Sequence, residues 1–240
     1  MENFLNNFSE KDITYALYGL LLGDGCYKKG WIQNAHTNKQ RFYCKWLESI
    51  FTELGQKTSS KYDYMLHTTF GDYEYSRVNI KVPNKNLFEK NNIFFDDNHK
   101  KIISDYVLNN INRFGLLLWF LDDGQFYVST KNHRTKRFGY LNTQSFTYEE
   151  NNKIKKMFKS RFDIDLGIHI NTASTPTEKN KRYYRLYINA DNFRNFFDIV
   201  REYLPYIPQE FYYKFDMKYT PNRLKNSILF SKMYSLDNLI

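Results

Sequence analysis

"FGLLLWFLDDG" (residues 114–124) carries bulky apolar side chains at almost every position and then ends in two aspartates and a glycine. The apolar run predicts a helix buried on all sides. Its ending does not fit, because the backbone dipole leaves partial negative charge at a helix C-terminus and disfavours carboxylates there. "LYGLLLGDG" at 17–25 repeats the anomaly, being apolar and ending in Asp-Gly. The last acids of the two stretches, Asp24 and Asp123, lie 123 − 24 = 99 residues apart. A single Asp-Gly after an apolar helix is usually an ordinary stop, with glycine just past the end and a solvated acid. Two of them one repeat apart, in a strongly basic chain, reverse that reading.

Working outward from the motifs, one order of elements appears twice. The first helix runs from about Ser9, its N-cap, to Asp24, with Ile13, Ala16, Leu17, Leu20 and Leu21 at helical spacing. "CYKKGWIQNAH" predicts a hairpin turning at Lys28–Gly30. A helix follows from a capping box at Thr37 and Gln40 to Gly55. Two strands then flank Gly71–Asp72, the second with Val78, Ile80 and Val82 alternating against Arg77, Asn79 and Lys81. "NKNLFEKNNIF" predicts a short helix. After the second motif come the strand "QFYVS", a basic loop "TKNHRTKR" and the strand "FGYLNTQSF". A helix capped by Thr147 and Glu150 follows, then the strands "LGIHIN" and "RYYRLYIN" and the helix "ADNFRNFFDIVREYL". The expected fold is α+β, an αββαββα unit used twice. Residues 1–104 form one half, 105–217 the other, and 218–240 a tail.

The chain has 240 residues and a formal charge of +9, from 35 Lys+Arg against 26 Asp+Glu. That excess favours a polyanionic partner. No apolar run reaches the roughly 20 residues of a membrane span, and the N-terminus lacks a signal-peptide core. Two cysteines, Cys26 and Cys44, offer at most one bridge, so a reducing compartment is the default. Cys26 reads as core, and His36, His67 and His169 form no metal-ligand spacing. The aromatic content of 19% names no function.

The two acids acquire chemistry if the motif helices pair about a pseudo-twofold axis. Gly19 and Gly23 share one helix face and permit close approach. Asp24 and Asp123 then meet at the bottom of the pair, repelling each other and both dipoles unless a cation lies between them. Mg²⁺ suits a few carboxylate oxygens, water and phosphate. Such a site activates water and stabilises both oxygens of an in-line phosphodiester displacement.

These motifs resemble the pair found in single-chain LAGLIDADG homing endonucleases. "WFLDDG", "LNTQSFTYEE" and "YLPYIPQEFYYK" look like the I-SceI branch, and the resemblance covers roughly residues 10–216. It implies two pseudo-symmetric halves with saddle-shaped antiparallel sheets, packed through the motif helices. Asp24 and Asp123 are then the metal-binding catalytic acids, and Gly23 and Asp122 offer backbone carbonyls. The resemblance also implies a lysine near each acid: Lys214, and Lys101 in preference to Lys100. A polar residue after each motif positions water or metal: Gln144, with Gln33 or Asn34 in the first half. Leu118 and Tyr18 depart from the small residues of the family pattern. The implied cofactor is Mg²⁺, with Mn²⁺ substituting and Ca²⁺ binding without supporting cleavage. The implied partner is double-stranded DNA, cut across the minor groove by a monomer that needs no protein partner and no membrane. Mitochondrial and bacterial hosts both fit.

A curved sheet in the major groove presents alternate side chains to bases and phosphates. The candidates are Lys28, Lys29, Arg77, Asn79 and Lys81 in the first half. In the second they are Lys131, Arg134, Lys136, Arg137, Asn142, His169, Asn171, Arg185 and Tyr187. The rival reading is a non-cleaving binder on the same scaffold, an intron RNA maturase or a repressor. Retention of both acids favours the enzyme.

Overall fold

The computed structural model describes residues 8–68, 71–89, 93–98, 100–131, 134–172 and 182–215, and only the backbone at 68, 131 and 134–136. The first half runs α1 (Glu10–Leu22), β1 (Cys26–Lys28), β2 (Trp31–Thr37), α2 (Arg41–Glu53), β3 (Thr58–Thr68), β4 (Gly71–Lys81) and α3 (Lys85–Glu89). A short α4 (Asp105–Asn110) leads into the second half. There α5 (Arg113–Asp123), β5 (Gly124–Lys131), β6 (Arg134–Leu141), α6 (Tyr148–Phe162), β7 (Gly167–Thr172), β8 (Arg182–Ile188) and α7 (Ala190–Val200) repeat the order. Each half builds a four-stranded antiparallel sheet, ordered β1-β2-β4-β3 and β5-β6-β8-β7. The fold is α+β, as the sequence predicts.

Local chemistry explains most boundaries. Ser9 and Asp12 close a capping box on α1, and Thr147 and Glu150 close another on α6. The turn between β1 and β2 is the pair Lys29–Gly30, both at positive φ, as a tight hairpin of this twist requires. In β4, Ser76, Val78 and Ile80 are buried while Arg77 and Asn79 are partly exposed, the expected alternation.

Three elements differ from the sequence reading. Thr37 makes no capping bond. It stays in the β2 ladder opposite Tyr75, and a 3₁₀ turn at Asn38–Gln40 intervenes before α2. The predicted loop at 131–137 is mostly strand. The β5–β6 ladder continues to Lys131 and Arg134, since basic residues extend an exposed hairpin without breaking its backbone bonds. Finally, β6 stops at Leu141, so "NTQSF" forms the turn into α6. The tail at 218–240 lies outside the described residues.

Among the described residues, one apolar cluster joins the halves. Leu17, Leu20 and Leu21 of α1, Leu116, Leu117 and Phe120 of α5, Phe51 of α2 and Phe196 of α7 are buried in it. The α1–α5 contact is set by glycines. A Cβ on Gly19 would sit 1.8 Å from the Gly115 carbonyl oxygen, and one on Gly115 would sit 2.7 Å from that of Tyr15. Tyr18 and Leu118 do not obstruct this contact. Tyr18 turns away, packing on Phe88 and Phe94.

Candidate active site

Close packing at Gly19 and Gly115 brings the C-termini of α1 and α5 side by side. Asp24, just past α1, keeps its side chain 54% exposed. Asp123, the last residue of α5, is held by the indole of Trp119, whose Nε1 donates to Oδ2 at 3.1 Å. Burial and the charge of Asp24 push the Asp123 carboxyl up to about 7.

Asp122 differs from the expectation that it offers only its backbone. Its side chain is wholly buried and lies against Gly23, where a Cβ would come within 2.5 Å of Oδ2. That oxygen accepts from the Asp24 amide at 3.1 Å and from Asn34 Nδ2 at 3.4 Å. Successive helical residues point about 100° apart. The rotation of α5 that seats Gly115 on Gly19 therefore turns Asp122 toward α1 and Asp123 toward its own Trp119. Burial, then Asp24 and Asp123, push the Asp122 carboxyl well above the usual carboxylate range. Tyr43, one of its neighbours, opposes this.

Two lysines supply positive charge at the helix ends. Lys101 Nζ donates to the carbonyls of Gly23 at 2.6 Å and Gly25 at 3.2 Å. Lys214 Nζ donates to Leu121 at 2.6 Å, Gly124 at 2.9 Å and Asp122 at 3.4 Å. The backbone carbonyls expected as metal donors thus already accept from ammonium groups. Lys101 reaches the site because an isolated bridge between Phe95 and Lys101 turns it inward, while Lys100 is exposed. Burial lowers the pKa of both, that of Lys214 to about 8, against the raising effect of the aspartates. This arrangement answers the awkward ending of each motif: cations oppose both dipoles.

Of the polar strand residues, Asn34 reaches the carboxylates and Gln33 does not. Alternation along β2 buries Ile32, Asn34 and His36 against the helices and leaves Gln33 on the other face, opposite Asn79. Gln33 also has no counterpart in Gln144. Cys26 pairs with Gln33 while Gln125 pairs with Tyr140, so the two carriers of glutamine occupy different registers. Gln144 is exposed in the turn after β6 and donates to Asn142 at 3.3 Å.

His36, given no role in the sequence reading, lies within this group. Its Nδ1 is 3.9 Å from Asp24 Oδ2 and its Nε2 is 4.0 Å from Asp122 Oδ1. Burial lowers its pKa, favouring the neutral ring. The missed signal was its position two residues after Asn34, on the same strand face. Cys26 is exposed, not core, and both cysteines are free.

The outer faces of the sheets hold most of the other candidates. In the first, Asn79, Arg77 and Lys81 are register partners of Gln33, Ala35 and Trp31. Lys28, Lys29, Trp31, Gln33, Ser59 and Asn79 line a trough of ≈ 380 Å³. In the second, Arg185 lies 3.8 Å over the Tyr140 ring, and His169 stacks on Tyr187 at 4.7 Å. Asn171 continues that face, pairing with Tyr183. Arg137 does not belong there. It pairs with Val128, one residue out of step with Phe138 and Tyr140, on the opposite strand face. Asn142 sits beside the acids, its amide donating to the Asp123 carbonyl at 3.0 Å. The side chains of Lys131, Arg134 and Lys136 lie outside the described residues.

Two antiparallel four-stranded sheets are joined through paired apolar helices that end in carboxylates, one such motif in each half. Residues 14–196 match the model of the LAGLIDADG DNA endonuclease family, and the chain belongs to that family. It is 34% identical over 128 residues to a "Probable intron-encoded endonuclease 1" of Wickerhamomyces canadensis, a stretch covering 53% of this chain and 50% of that protein. It is 27% identical over 105 residues to a "Probable intron-encoded DNA endonuclease 3" of Mycosarcoma maydis, covering 44% of this chain and 66% of that one. The chain therefore spans about half to two-thirds of the length of these relatives. Among solved structures, the homing endonuclease I-WcaI bound to its DNA recognition sequence is similar in fold, with a TM-score of 0.62 at 24% identity over 86% of each chain.

Proposed function

We propose that the protein is a site-specific homing endonuclease that makes a Mg²⁺-dependent double-strand break in a long, non-palindromic DNA target and works as a monomer. The observation that carries this reading is the gathering of Asp24, Asp122 and Asp123 between Lys101 and Lys214 at the ends of two paired helices. The donors fit a hard divalent cation: Asp24 is open to solvent, and Asp122 Oδ1 is buried with no hydrogen-bond partner among the described residues. Asp24 and Asp123 would hold the ion, as the family resemblance implies, and Asp122 would add a third carboxylate. When bound, a divalent ion supplies charge to phosphate oxygens and acidity to a water.

The chain's own residues do the rest. Lys101 and Lys214 fix the helix ends and set positive charge beside the cleaved phosphates. Asn34 orients the Asp122 carboxylate. The outer sheet faces, with Arg77, Asn79 and Lys81 on one and Arg185, Tyr187 and His169 on the other, meet the two ends of the target. The runs "WFLDDG", "LNTQSFTYEE" and "YLPYIPQEFYYK" favour the I-SceI branch of the family. Free thiols suit a reducing compartment, a mitochondrial matrix or a bacterial cytoplasm.

A plasmid library of candidate insertion sites tests this reading. Selected plasmids should be linearised with Mg²⁺ or Mn²⁺ and bound but uncut with Ca²⁺. Binding without metal-dependent cleavage would point instead to an RNA maturase or repressor on the same scaffold.

A further inference from the structure

Arg77 and Arg185 occupy the same place in the two halves, although the sheet faces around them differ. Gly25 and Gly124 close the two motifs, so Cys26 and Gln125 are equivalent. Cys26 pairs with Gln33 and Gln125 with Tyr140, and these partners pair in turn with Asn79 and Tyr187. Arg77 and Arg185 stand two residues before Asn79 and Tyr187, on the same strand face. At neighbouring equivalent positions Lys28, Trp31 and Lys61 give way to Tyr127, Phe138 and His169. Both arginines are on interior strands, β4 and β8, over the middle of each outer face.

Each guanidinium is held by the equivalent residue of the neighbouring strand. Arg77 Nη1 and Nε both donate to the Gln33 side-chain oxygen at 3.2 Å. The Arg185 guanidinium lies 3.8 Å over the Tyr140 ring, whose hydroxyl is 3.0 Å from His169 Nδ1. Their register neighbours on the outer strands are Lys61 and His169, so no carboxylate faces them there. A cation held in place without an acid is ready for another acceptor.

We propose that Arg77 and Arg185 are a matched pair of specificity-determining residues, each reading one guanine through O6 and N7 in the major groove. The inference rests on the reading of the outer sheet faces as DNA-contacting surfaces. A guanidinium offers guanine two parallel N–H bonds, the commonest base-specific contact. Phosphates flank the groove and base edges form its floor, so the middle of a sheet face meets bases. Gln33 and Tyr140 fix the two forks before DNA arrives, which lowers the cost of ordering them on binding. The pseudo-twofold relation between the halves also relates the arginines. A twofold across a duplex exchanges its strands, so the two guanines lie on opposite strands at equal distances from the centre. A target that is otherwise asymmetric thus keeps one mirrored pair of guanines. A cation in the groove still displaces counterions, so each arginine keeps its salt response.

Selection from a randomised duplex library, using the full chain with Ca²⁺, tests this without cleavage. Sequences enriched by the wild-type chain should carry two guanines, one per strand, equally far from the centre of the footprint to within about one base pair. Arg77→Ala and Arg185→Ala, checked for folding by circular dichroism, should each lose discrimination at one of these positions only, by about 5- to 150-fold. A loss spread evenly over all sequences would mark phosphate contacts and overturn the proposal. Enriched sequences without the mirrored guanines would overturn it too, and that result needs no variant to fold. Enrichment of no sequence at all would sink it together with the DNA-binding reading. Failure of the cleavage reading alone would appear as mirrored guanines in the bound sequences with no cutting in Mg²⁺.

Discussion

In the first half, β2 turns Asn34 and His36 toward the acids at the helix ends, whereas the second half has Leu141, the last residue of β6, and Thr143, in the turn after it, at the corresponding positions. The outer sheet faces diverge in the same way. The first carries Lys28, Arg77, Asn79 and Lys81, while the second has the stacked rings of His169 and Tyr187 with Arg185 over Tyr140. What the halves keep in common is the frame: paired motif helices, a lysine on each helix end and one strand order. Pseudo-symmetry is thus a packing constraint imposed where backbones touch, and it relaxes one side chain away. A protein built this way carries unequal chemistry on its two sides.

The largest expected effect breaks the shared frame. Gly19→Ala should cost about 4 kcal/mol or prevent folding, because its Cβ would overlap backbone, and a clash with backbone has no side chain to yield. Gly115→Ala should cost less, since its closest contact is 2.7 Å and not 1.8 Å. Urea denaturation of both variants measures the difference.

Next comes pH, which sharpens the contrast between acids and lysines. In the folded chain the Asp123 pKa rises from 3.8 to about 7, so the folded state holds its proton where the unfolded state has lost it. Metal-free protein should therefore be stabilised by this group at low pH and lose that contribution, roughly 3–4 kcal/mol, as pH rises from about 4 to 7. Added Ca²⁺ should restore stability at the upper end by binding the ionised form. Lys214 works in the opposite direction. Its pKa falls from 10.5 to about 8, so stability should recover as pH climbs through that interval. Melting temperatures across pH, with and without Ca²⁺, resolve both limbs.

Replacing the lysines compares the two helix ends directly. Lys214 is 5% exposed and binds three carbonyls, so Lys214→Met should cost about 2 kcal/mol. Lys101 is more open and binds two, so Lys101→Met should cost about 1 kcal/mol. The smallest effects concern the sheet faces. Arg77→Ala should weaken DNA binding and lower the salt-dependence slope by about one. Tyr187→Ala should weaken binding with the slope unchanged, because a stacked ring releases no counterion. Filter binding at several salt concentrations separates the two.

The frame was legible because it rests on local rules. Ser9 and Thr147 mark helix starts, Val78 and Ile80 mark a half-buried strand, and the two Asp-Gly endings mark the repeat. The fine structure of the site was not legible, because it depends on rotations set at a distance. Whether Asp122 or Asp123 faces the partner helix is decided by the Gly19–Gly115 contact. Whether Gln33 or Asn34 faces the acids is decided by a two-residue turn at Lys29–Gly30, and a shift of one residue exchanges every side chain between faces. His36 follows from that same register.

The central claim is that the carboxylates at the paired helix ends cut both DNA strands. Its most direct test is cleavage, with Mg²⁺, of a library-selected target by Asp24→Asn and by Asp123→Asn. Each variant should bind the target and fail to linearise it, losing at least about a thousandfold in double-strand cleavage, the scale set by removing a group that stabilises transition-state charge. Double-strand cleavage at the wild-type rate by either variant would contradict the account.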